Sequence, residues 1–294
     1  MGSNQPVSRQ SILIVAALLA LYFIWGSTYL AMRVAIDSFP PFMMAGLRYL
    51  IAGVLMYAFL RLRGAPAPDG AQWAGAVAVG GLLLLGGNGS VAYAQQWVAT
   101  GLAAVAIATV PLWTVIFASL WGKSSSRREW LGIGLGLAGV ALLNLGDNMR
   151  ASPLGAALLL FAAASWSFGS VWSQRLKLPE GLMGSAAQML GGGMLLLLWS
   201  LVMGEKLTVA PAIKPLLAMA YLIVFGSFLA FSSYLFLLKT VRPALATSYA
   251  YVNPLIAIWL GMAFLGEHIT PLEFAAMPLI LGAVVLVMVK NNDD

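Results

Sequence analysis

The sequence predicts an all-α polytopic membrane protein with ten transmembrane helices in two inverted five-helix repeats. Three observations support this prediction: an apolar composition, a series of long apolar runs, and an internal repeat. Of the 294 residues, 61% are hydrophobic and 9% are charged, and the mean hydropathy is +0.90. Soluble domains average about 45–50% apolar and about 25% charged residues. Charged side chains are therefore too few to cover a water-soluble fold of this length.

Ten apolar runs, each close to the length that a bilayer requires, follow one another with short polar breaks. The runs are continuous rather than alternating, which excludes a transmembrane β-barrel and leaves helices. The first five helices are predicted at Ile12–Met32, Phe42–Leu60, Trp73–Gln95, Leu102–Trp121 and Glu129–Leu145. The second five are predicted at Pro153–Ser173, Leu182–Met203, Pro215–Leu238, Ala244–Leu265 and Leu272–Lys290. Ten such helices leave no room for a soluble catalytic domain.

The distribution of lysine and arginine predicts the orientation of these helices. With the N-terminus in the cytoplasm, most basic residues fall in cytoplasmic segments. The opposite side then holds only Arg33, Arg150, Lys206 and Lys214. Cytoplasmic loops of membrane proteins carry an excess of basic residues. The sequence therefore predicts a multi-pass protein of a bacterial-type inner membrane, with both termini in the cytoplasm.

The two halves of the chain are alike at a constant offset of 143 residues. Gly26-Ser27 aligns with Gly169-Ser170, and Pro111-Leu112 aligns with Pro254-Leu255. Because each half holds five spans, the second half must enter the membrane in the opposite orientation. Inverted repeats are the plan of many secondary transporters, whose substrate site lies near the bilayer midplane between the repeats. The predicted repeats are residues 1–147 and 148–294.

Four motifs of this chain resemble those of the drug/metabolite transporter superfamily, EamA type. They are Trp25-Gly26-Ser27-Thr28, Leu47-Arg48-Tyr49, residues 248–255 (SYAYVNPL) and Phe264-Leu265-Gly266-Glu267. The resemblance covers nearly the whole chain. It implies ten helices in two inverted halves and export of amino acids or other metabolites, with the YddG-type amino acid exporters as the most similar branch. One departure is Asn253, where many relatives carry Glu.

Arg48 is the only ionisable residue well inside an apolar span, about six residues or ~9 Å from its start. A charge at that depth is costly and is by default the mark of a functional site. A planar guanidinium suits a substrate carboxylate. The alternative is that Arg48 extends to the outer interface or binds carbonyls at a helix end.

Five further residues complete the candidate substrate-binding set, namely Trp25, Asn88, Trp166, Tyr249 and Asn253. The three aromatic residues lie in the middle of their spans, where an interfacial belt does not explain them. They are predicted to line a cavity and stack on a substrate, with ordinary helix packing as the alternative. Asn253 shares a helix face with Tyr249. Asn88 lies among glycines and is predicted to bind the substrate, with an interhelical hydrogen bond as the alternative.

Two prolines occupy equivalent positions in the halves. Pro111 and Pro254 each remove a backbone hydrogen bond and can kink a helix. Their symmetric placement predicts a pair of hinges for a rocking motion. The alternative is a pair of static kinks that improve packing.

The residues that the chain lacks narrow the function. It has no cysteine and one histidine, and all ten acidic residues fall in loops, helix ends or tails. We therefore expect no metal, no cofactor, no nucleic-acid partner and no enzymatic activity. We also expect either a facilitator or a carrier whose coupling needs no buried carboxylate. The predicted function is export of small metabolites, above all amino acids including aromatic ones, by alternating access. Alternatives are export of drug-like or quaternary cations, an intramembrane lipid-modifying enzyme, and a channel. The sequence leaves the oligomeric state open.

Overall fold

The structure, a computed structural model of the chain, describes residues 9–121, 127–145, 152–241, 246 and 248–288. These residues form helices joined by short connections and contain no β-strand, so the all-α prediction is confirmed. Within them, seven helices are long and apolar enough to cross a membrane, and two shorter apolar helices follow near the C-terminus. The predicted boundary between the repeats, at residues 147 and 148, lies outside the described residues.

Ten helical rods occupy the ten predicted spans in this part of the chain, and their ends lie within a turn or two of the predicted ones. The first half forms α1 (Arg9–Leu19, Ala20–Trp25 and Gly26–Ala35), α2 (Pro41–Leu62), α3 (Gly70–Gly80, Gly81–Gly89 and Ser90–Ala94), α4 (Thr100–Ile107 and Val110–Ser119) and α5 (Arg127–Leu145). The second half forms α6 (Pro153–Ser173), α7 (Gly181–Val202), α8 (Ile213–Tyr221, Leu222–Phe231 and Ser232–Thr240), α9 (Tyr249–Leu265) and α10 (Pro271–Met288).

Local sequence determines several helix ends. The Asp69 side chain accepts a hydrogen bond from the Gln72 backbone, and the Gln72 side chain accepts one from the Asp69 backbone, so α3 begins with a capping box. Ser152 accepts a hydrogen bond from the backbone of Gly155 and precedes a proline at the first position of α6. α9 ends at Gly266, whose φ of +65° lies in the left-handed region that favours glycine.

The halves are inverted relative to each other, and the contact between α2 and α7 shows it. A Cβ added to Gly46 would lie 2.7 Å from the Leu197 side chain, and one added to Gly53 would lie 3.0 Å from the Leu190 backbone. Residue numbers therefore rise along α2 as they fall along α7, so the two helices are antiparallel. Because α2 and α7 are the second helices of their halves, the halves have opposite orientations. The predicted inverted repeat is confirmed.

The remaining contacts between the halves are also symmetric, because each contact recurs when the equivalent helices of the two halves are interchanged. α1 packs against α8 and α9, and correspondingly α6 packs against α3 and α4. α4 packs against α9, and α5 packs against α10, so each of these helices contacts its equivalent in the other half. This pattern is expected when two similar five-helix units are related by an approximate two-fold axis in the membrane plane.

Two acidic residues mark one end of the bundle, which we call face A and which holds connections 36–40, 95–99, 203–212 and 266–270. The Glu205 carboxylate accepts hydrogen bonds from the backbone N–H groups of Phe42 and Met43 at the start of α2. The Glu267 carboxylate accepts hydrogen bonds from Thr100 and Gly101 at the start of α4. Each carboxylate neutralises the positive end of a helix from the other half.

The opposite end, face B, holds connections 63–69 and 174–180. Here Lys177 Nζ donates a hydrogen bond to Asp69 Oδ2 over 2.6 Å, which links the start of α3 to the α6–α7 connection. This hydrogen bond lowers the pKa of the Asp69 carboxyl. The two halves are thus joined by polar contacts at both ends of the bundle.

We expect Glu205→Gln to lower the melting temperature by a few degrees Celsius, because losing a charged helix cap removes ~1 kcal/mol. Glu205 also accepts a hydrogen bond from Ser200 over 2.7 Å, so three donors lose a charged partner. Glu180→Gln is the matched control, since Glu180 begins α7 without a side-chain capping bond. A thermal-unfolding assay in detergent compares them, and equal melting temperatures would show that the cap adds no stability.

The close contact of α3 and α7 predicts that Gly192→Ala lowers the melting temperature. An added Cβ would lie 2.6 Å from the backbone oxygen of Gly80, which cannot rotate away. Gly282→Ala is the control, because a Cβ there meets no atom within 4 Å and alanine favours helix. The same assay should show a decrease for the first variant and none for the second. An unchanged melting temperature for Gly192→Ala would contradict the proposed close packing.

Candidate functional site

Three π-helical segments interrupt the long helices α1, α3 and α8 near their middles. They are Ala20–Trp25, Gly81–Gly89 and Leu222–Phe231. A π turn is rare and is frequently found at functional sites. The segments in α3 and α8 occupy nearly equivalent positions in the two halves. The π segments of α3 and α8 are therefore a feature that the two halves share.

Side chains from facing helices bind carbonyl oxygens of these π segments. Ser165 of α6 donates a hydrogen bond to the Leu82 carbonyl oxygen over 2.7 Å. Trp25 of α1 donates from Nε1 to the Gly226 carbonyl oxygen of α8 over 3.3 Å. Backbone polar groups inside a bilayer must find a partner within the protein. These two bonds, on the equivalent pairs α6–α3 and α1–α8, supply partners where regular α-helical bonding is interrupted.

Glycines in α3 allow α6 to approach the π segment. A Cβ on Gly87 would lie 2.9 Å from Cε3 of Trp166, and a Cβ on Gly86 would collide with the side chain of Ser165. Larger residues at both positions would push the helices apart. The same turn carries Asn88, so the close approach brings Asn88 and Trp166 to one place.

A central cavity of about 540 Å³, open solvent included, lies where these helices meet. Its walls come from α1, α2, α3, α4, α6, α8 and α9. They include all six residues that the sequence predicted to bind substrate. Those residues are Trp25, Arg48, Asn88, Trp166, Tyr249 and Asn253. The fold thus brings together side chains that are far apart in the sequence, while their role in binding stays a prediction.

Arg48 lies in the wall of this cavity and is only 2% exposed. Its Nη2 donates hydrogen bonds to Asn88 Oδ1 over 2.7 Å and to the Tyr49 hydroxyl over 2.5 Å. The guanidinium carbon lies 4.4 Å from the centre of the Tyr49 ring. Nε and Nη1 have no hydrogen-bond partner among the described residues. The side chain is therefore held in the interior, and it does not extend to the interface.

A carboxylate partner for Arg48 is absent from the described part of the chain. The ion pairs found there are Arg33–Asp37 and Lys177–Asp69, and both are solvent-exposed. A buried charge with two unpaired donors is unfavourable in a low-dielectric environment. An anion entering the cavity would relieve this cost, and a carboxylate or phosphate has the geometry to bind a guanidinium through two oxygens.

Three aromatic side chains, Trp25, Trp166 and Tyr249, line another part of the cavity. Tyr234 of α8 does not line the cavity, but its ring packs against all three. The Trp25 ring lies 5.5 Å from that of Trp166 at 83°, and 5.0 Å from that of Tyr249 at 86°. The Tyr234 ring lies 5.2 Å from that of Trp25. The Tyr234 hydroxyl accepts a hydrogen bond from Trp166 Nε1 over 3.0 Å and bonds the Ser170 hydroxyl over 2.9 Å. Edge-to-face contacts and hydrogen bonds fix the rings in a rigid surface for a flat apolar group.

Asn253 lines the cavity and also supports the backbone of α1. With its amide nitrogen turned toward α1, it donates to the carbonyl oxygens of Tyr22 over 3.1 Å and Leu21 over 3.2 Å. Both carbonyls belong to the π segment of α1. The Tyr22 hydroxyl in turn bonds the Ser248 hydroxyl over 2.7 Å. Asn253 therefore binds helices to each other, and its side-chain oxygen is the atom left for another partner.

The two prolines differ in local structure despite their equivalent positions. α4 is interrupted at residues 108–109, and Pro111 lies in the first turn of its second segment. Pro254 lies inside the continuous helix α9. The single helix predicted at Leu102–Trp121 is thus two segments, because the chain turns at 108–109 before proline restarts it. A hinge role for either proline stays a prediction.

Several cavity residues did not emerge from the sequence. Thr28, Tyr29 and Met32 of α1 line the cavity beside Trp25. They follow Trp25 by three, four and seven residues, so helical spacing alone would have placed them on its face. Two further aromatic residues lie near the repeat-related prolines. Trp113 stacks on Phe117 with ring centres 6.1 Å apart, and the side chain of Tyr251 lies outside the described residues.

We expect Asn88→Asp to raise the melting temperature of the substrate-free protein and to weaken binding of carboxylates. The new carboxylate would lie at the position of Asn88 Oδ1, 2.7 Å from Arg48 Nη2, and would neutralise the buried charge. Asn88→Leu is the opposing variant, because it removes the acceptor and should lower the melting temperature. Thermal unfolding with and without ligand measures both effects. A decrease for Asn88→Asp would show that the Arg48 charge already has sufficient partners.

The repeated fold around a central cavity is that of a polytopic membrane transporter. Both halves match one family, over residues 12–145 and 153–289. The chain belongs to the EamA-like transporter family.

Individual relatives support this assignment. The chain is 48% identical over 280 residues to the "uncharacterized inner membrane transporter YedA" of Escherichia coli K12, covering 95% of this chain and 92% of that protein. It is 27% identical to a chloroplastic WAT1-related protein of Arabidopsis thaliana, covering 94% of this chain and 70% of that protein. A crystal structure with 21% identity matches with a TM-score of 0.66 over 96% of this chain and 98% of its own, which supports the fold.

Proposed function

We propose that this protein exports small metabolites, most specifically amino acids including aromatic ones, across an inner membrane by alternating access. The observation that carries the proposal is Arg48, a buried guanidinium with two unpaired nitrogens in the wall of the central cavity. In membrane proteins such a charge usually serves a substrate or ion pathway. Membership of the family supports transport as the activity. The residues of the cavity support the proposed class of substrate.

A substrate carboxylate fits the polar side of the cavity. Nε and Nη1 of Arg48 lie without partners, while Nη2 is held by Asn88 and Tyr49. The held nitrogen fixes the plane of the guanidinium, so the free nitrogens are oriented before a ligand arrives. Preorganised donors of this kind bind an anion with little loss of conformational entropy.

An aromatic or other apolar side chain fits the aromatic part of the cavity lining. Trp25, Trp166 and Tyr249 present ring edges and faces that are locked by contacts with one another. A zwitterion with a flat side chain would use the polar and the aromatic part at once. A drug-like or quaternary cation would use only the rings, and the positive charge of Arg48 would repel it. The proposed site therefore comprises Trp25, Arg48, Asn88, Trp166, Tyr249 and Asn253.

The architecture of two inverted five-helix units supports the proposal of alternating access. Such units exchange conformations by rocking around a site at their interface. We propose repeats at residues 1–147 and 148–294, both termini in the cytoplasm, and an inner-membrane location like that in the name of the E. coli relative. Pro111 and Pro254 are the proposed hinges. Face B is then cytoplasmic, and face A is the opposite side.

Coupling to an ion gradient needs a group that binds the ion inside the membrane. All acidic residues of the sequence fall in loops, helix ends or tails, and Glu205 and Glu267 serve as helix caps at face A. We therefore propose that transport does not depend on a buried carboxylate. We also propose that the protein uses no cofactor and has no enzymatic activity. Purified protein in liposomes should equilibrate its substrate without an imposed pH gradient, and a strict need for such a gradient would contradict uncoupled transport.

We expect L-phenylalanine to raise the melting temperature of the wild-type protein, because ligands that bind the native state stabilise it. Phenethylamine, which keeps the ring and lacks the carboxylate, should not. In Arg48→Gln the affinity for phenylalanine should fall about 10- to 100-fold, the size of a lost hydrogen bond to a charged group. Thermal unfolding and radiolabelled efflux from proteoliposomes measure binding and transport.

Arg61→Gln is the matched control, because Arg61 lies on the same helix near face B and its guanidinium binds the Ala65 carbonyl oxygen. It should keep the wild-type response. Arg48→Gln removes an uncompensated buried charge, so it should fold with an undiminished melting temperature. Undiminished phenylalanine binding by Arg48→Gln would remove Arg48 from the site. Binding of tetraphenylphosphonium in place of phenylalanine would favour cation export.

A further inference from the structure

A second cavity lies at face B between α7 and α8, against the α6–α7 connection. It has about 930 Å³ of empty volume, open solvent included, and shares no lining residue with the central cavity. Leu178, Leu182, Leu235 and Phe236 contribute to its walls, which are mostly apolar. Lys239 lies at its rim near the end of α8. The proposed substrate site does not account for this cavity.

The internal repeat explains why this volume is empty. At the offset of 143 residues, Phe42 aligns with Ser185 and Tyr93 aligns with Phe236. In the first half, the Phe42 ring stacks on the Tyr93 ring with centres 5.0 Å apart at 24°. In the second half a serine stands where that phenylalanine would be, and both Ser185 and Phe236 line the cavity. The cavity is thus the counterpart of a site that the first half fills with its own side chain.

Polar groups lie at both ends of the apolar wall, and the distance between them gives the length of that wall. Gln188 Oε1 and Ser232 Oγ lie at the floor and have no hydrogen-bond partner among the described residues. Lys239 stands seven residues after Ser232 on α8, which corresponds to ~10 Å at helical rise. Between floor and rim the wall presents hydrocarbon.

The positive charge of Lys239 at the rim favours lipids with an anionic headgroup. Lys239 Nζ lies 3.5 Å from the Pro179 carbonyl oxygen and takes part in neither ion pair of the described residues. Nearby Lys177 is paired with Asp69, and Lys239 is the positively charged residue among those that line this cavity. Basic pockets between transmembrane helices are suited to anionic lipid headgroups.

We propose that this cavity binds one anionic phospholipid of the surrounding membrane. One acyl chain fills the apolar space between α7 and α8, and the phosphate contacts Lys239. The acyl chain replaces the contacts that Phe42 makes in the first half. The inference requires only that the helices span a membrane, so it stands or falls independently of the substrate of the central cavity.

Native mass spectrometry of the purified protein tests the proposal with phosphatidylglycerol and phosphatidylcholine. We expect one tightly bound phosphatidylglycerol and about fivefold weaker binding of phosphatidylcholine, the effect of one basic residue near the headgroup. Lys239→Gln should abolish this preference. Lys214→Gln, at the other end of α8, is the matched control and should keep it. Glycerol phosphate, which has the headgroup chemistry without acyl chains, should not compete.

Ser185→Phe tests the origin of the cavity. The new ring should stack on Phe236, as Phe42 stacks on Tyr93, and should abolish the bound lipid while raising the melting temperature in lipid-free detergent. Ser185→Leu provides a smaller filling residue, and size-exclusion chromatography checks that each variant is monodisperse. Wild-type lipid affinity in both folded variants would overturn the proposal. Equal binding of the two lipids by the wild type would overturn the role of Lys239.

Discussion

The close antiparallel contact of α2 with α7 is the constraint on which the centre of the molecule depends. In a bilayer, helices associate through packing of small residues rather than through exclusion of water. Gly46 and Gly53 allow α2 to approach α7, and Gly193 approaches the backbone of Leu50 from the other side. Arg48 follows Gly46 by two residues, which is about 200° around an α-helix. The glycine face that packs on α7 therefore directs Arg48 away from α7 and into the cavity.

The two halves share a scaffold and differ at the positions where chemistry is placed. At the offset of 143 residues, Arg48 aligns with Gly191 and Asn88 aligns with Phe231. The first half thus carries the polar pair of the central cavity, and the second half carries a glycine and a phenylalanine there. The reverse holds at face B, where the second half has Ser185 in place of Phe42. The two halves thus share one inverted five-helix fold. Single substitutions give the first half its polar residues in the central cavity and leave the second half with a cavity at face B.

Hydropathy and spacing predicted the ten spans, their inverted arrangement and the six residues that meet in the central cavity. Trp25, Arg48 and Tyr249 could be found because each is unusual for its position in an apolar span. The π segments could not be found, because hydropathy reports which residues are buried and not which carbonyl each N–H binds. The break of α4 at residues 108–109 was missed for the same reason. Tyr234 was missed because its role depends on Trp166 and Ser170, which lie on another helix.

The partners of Arg48 also bear on how a carrier releases what it binds. Most buried polar groups around the cavity are already satisfied: Ser165 and Trp25 bind carbonyls, and Tyr234 binds Trp166 and Ser170. Of the residues that line the cavity, Arg48 is the one with buried side-chain donors that lack a partner among the described residues. In the proposed binding mode, Nη2 keeps its hydrogen bonds to Asn88 and Tyr49, and an anion gains from the two nitrogens without partners. A fully unpaired arginine would bind an anion so strongly that release would be slow, and a fully paired one would not bind it. Partial pairing would give an intermediate affinity, which the proposed alternating access requires because the same site must both load and unload.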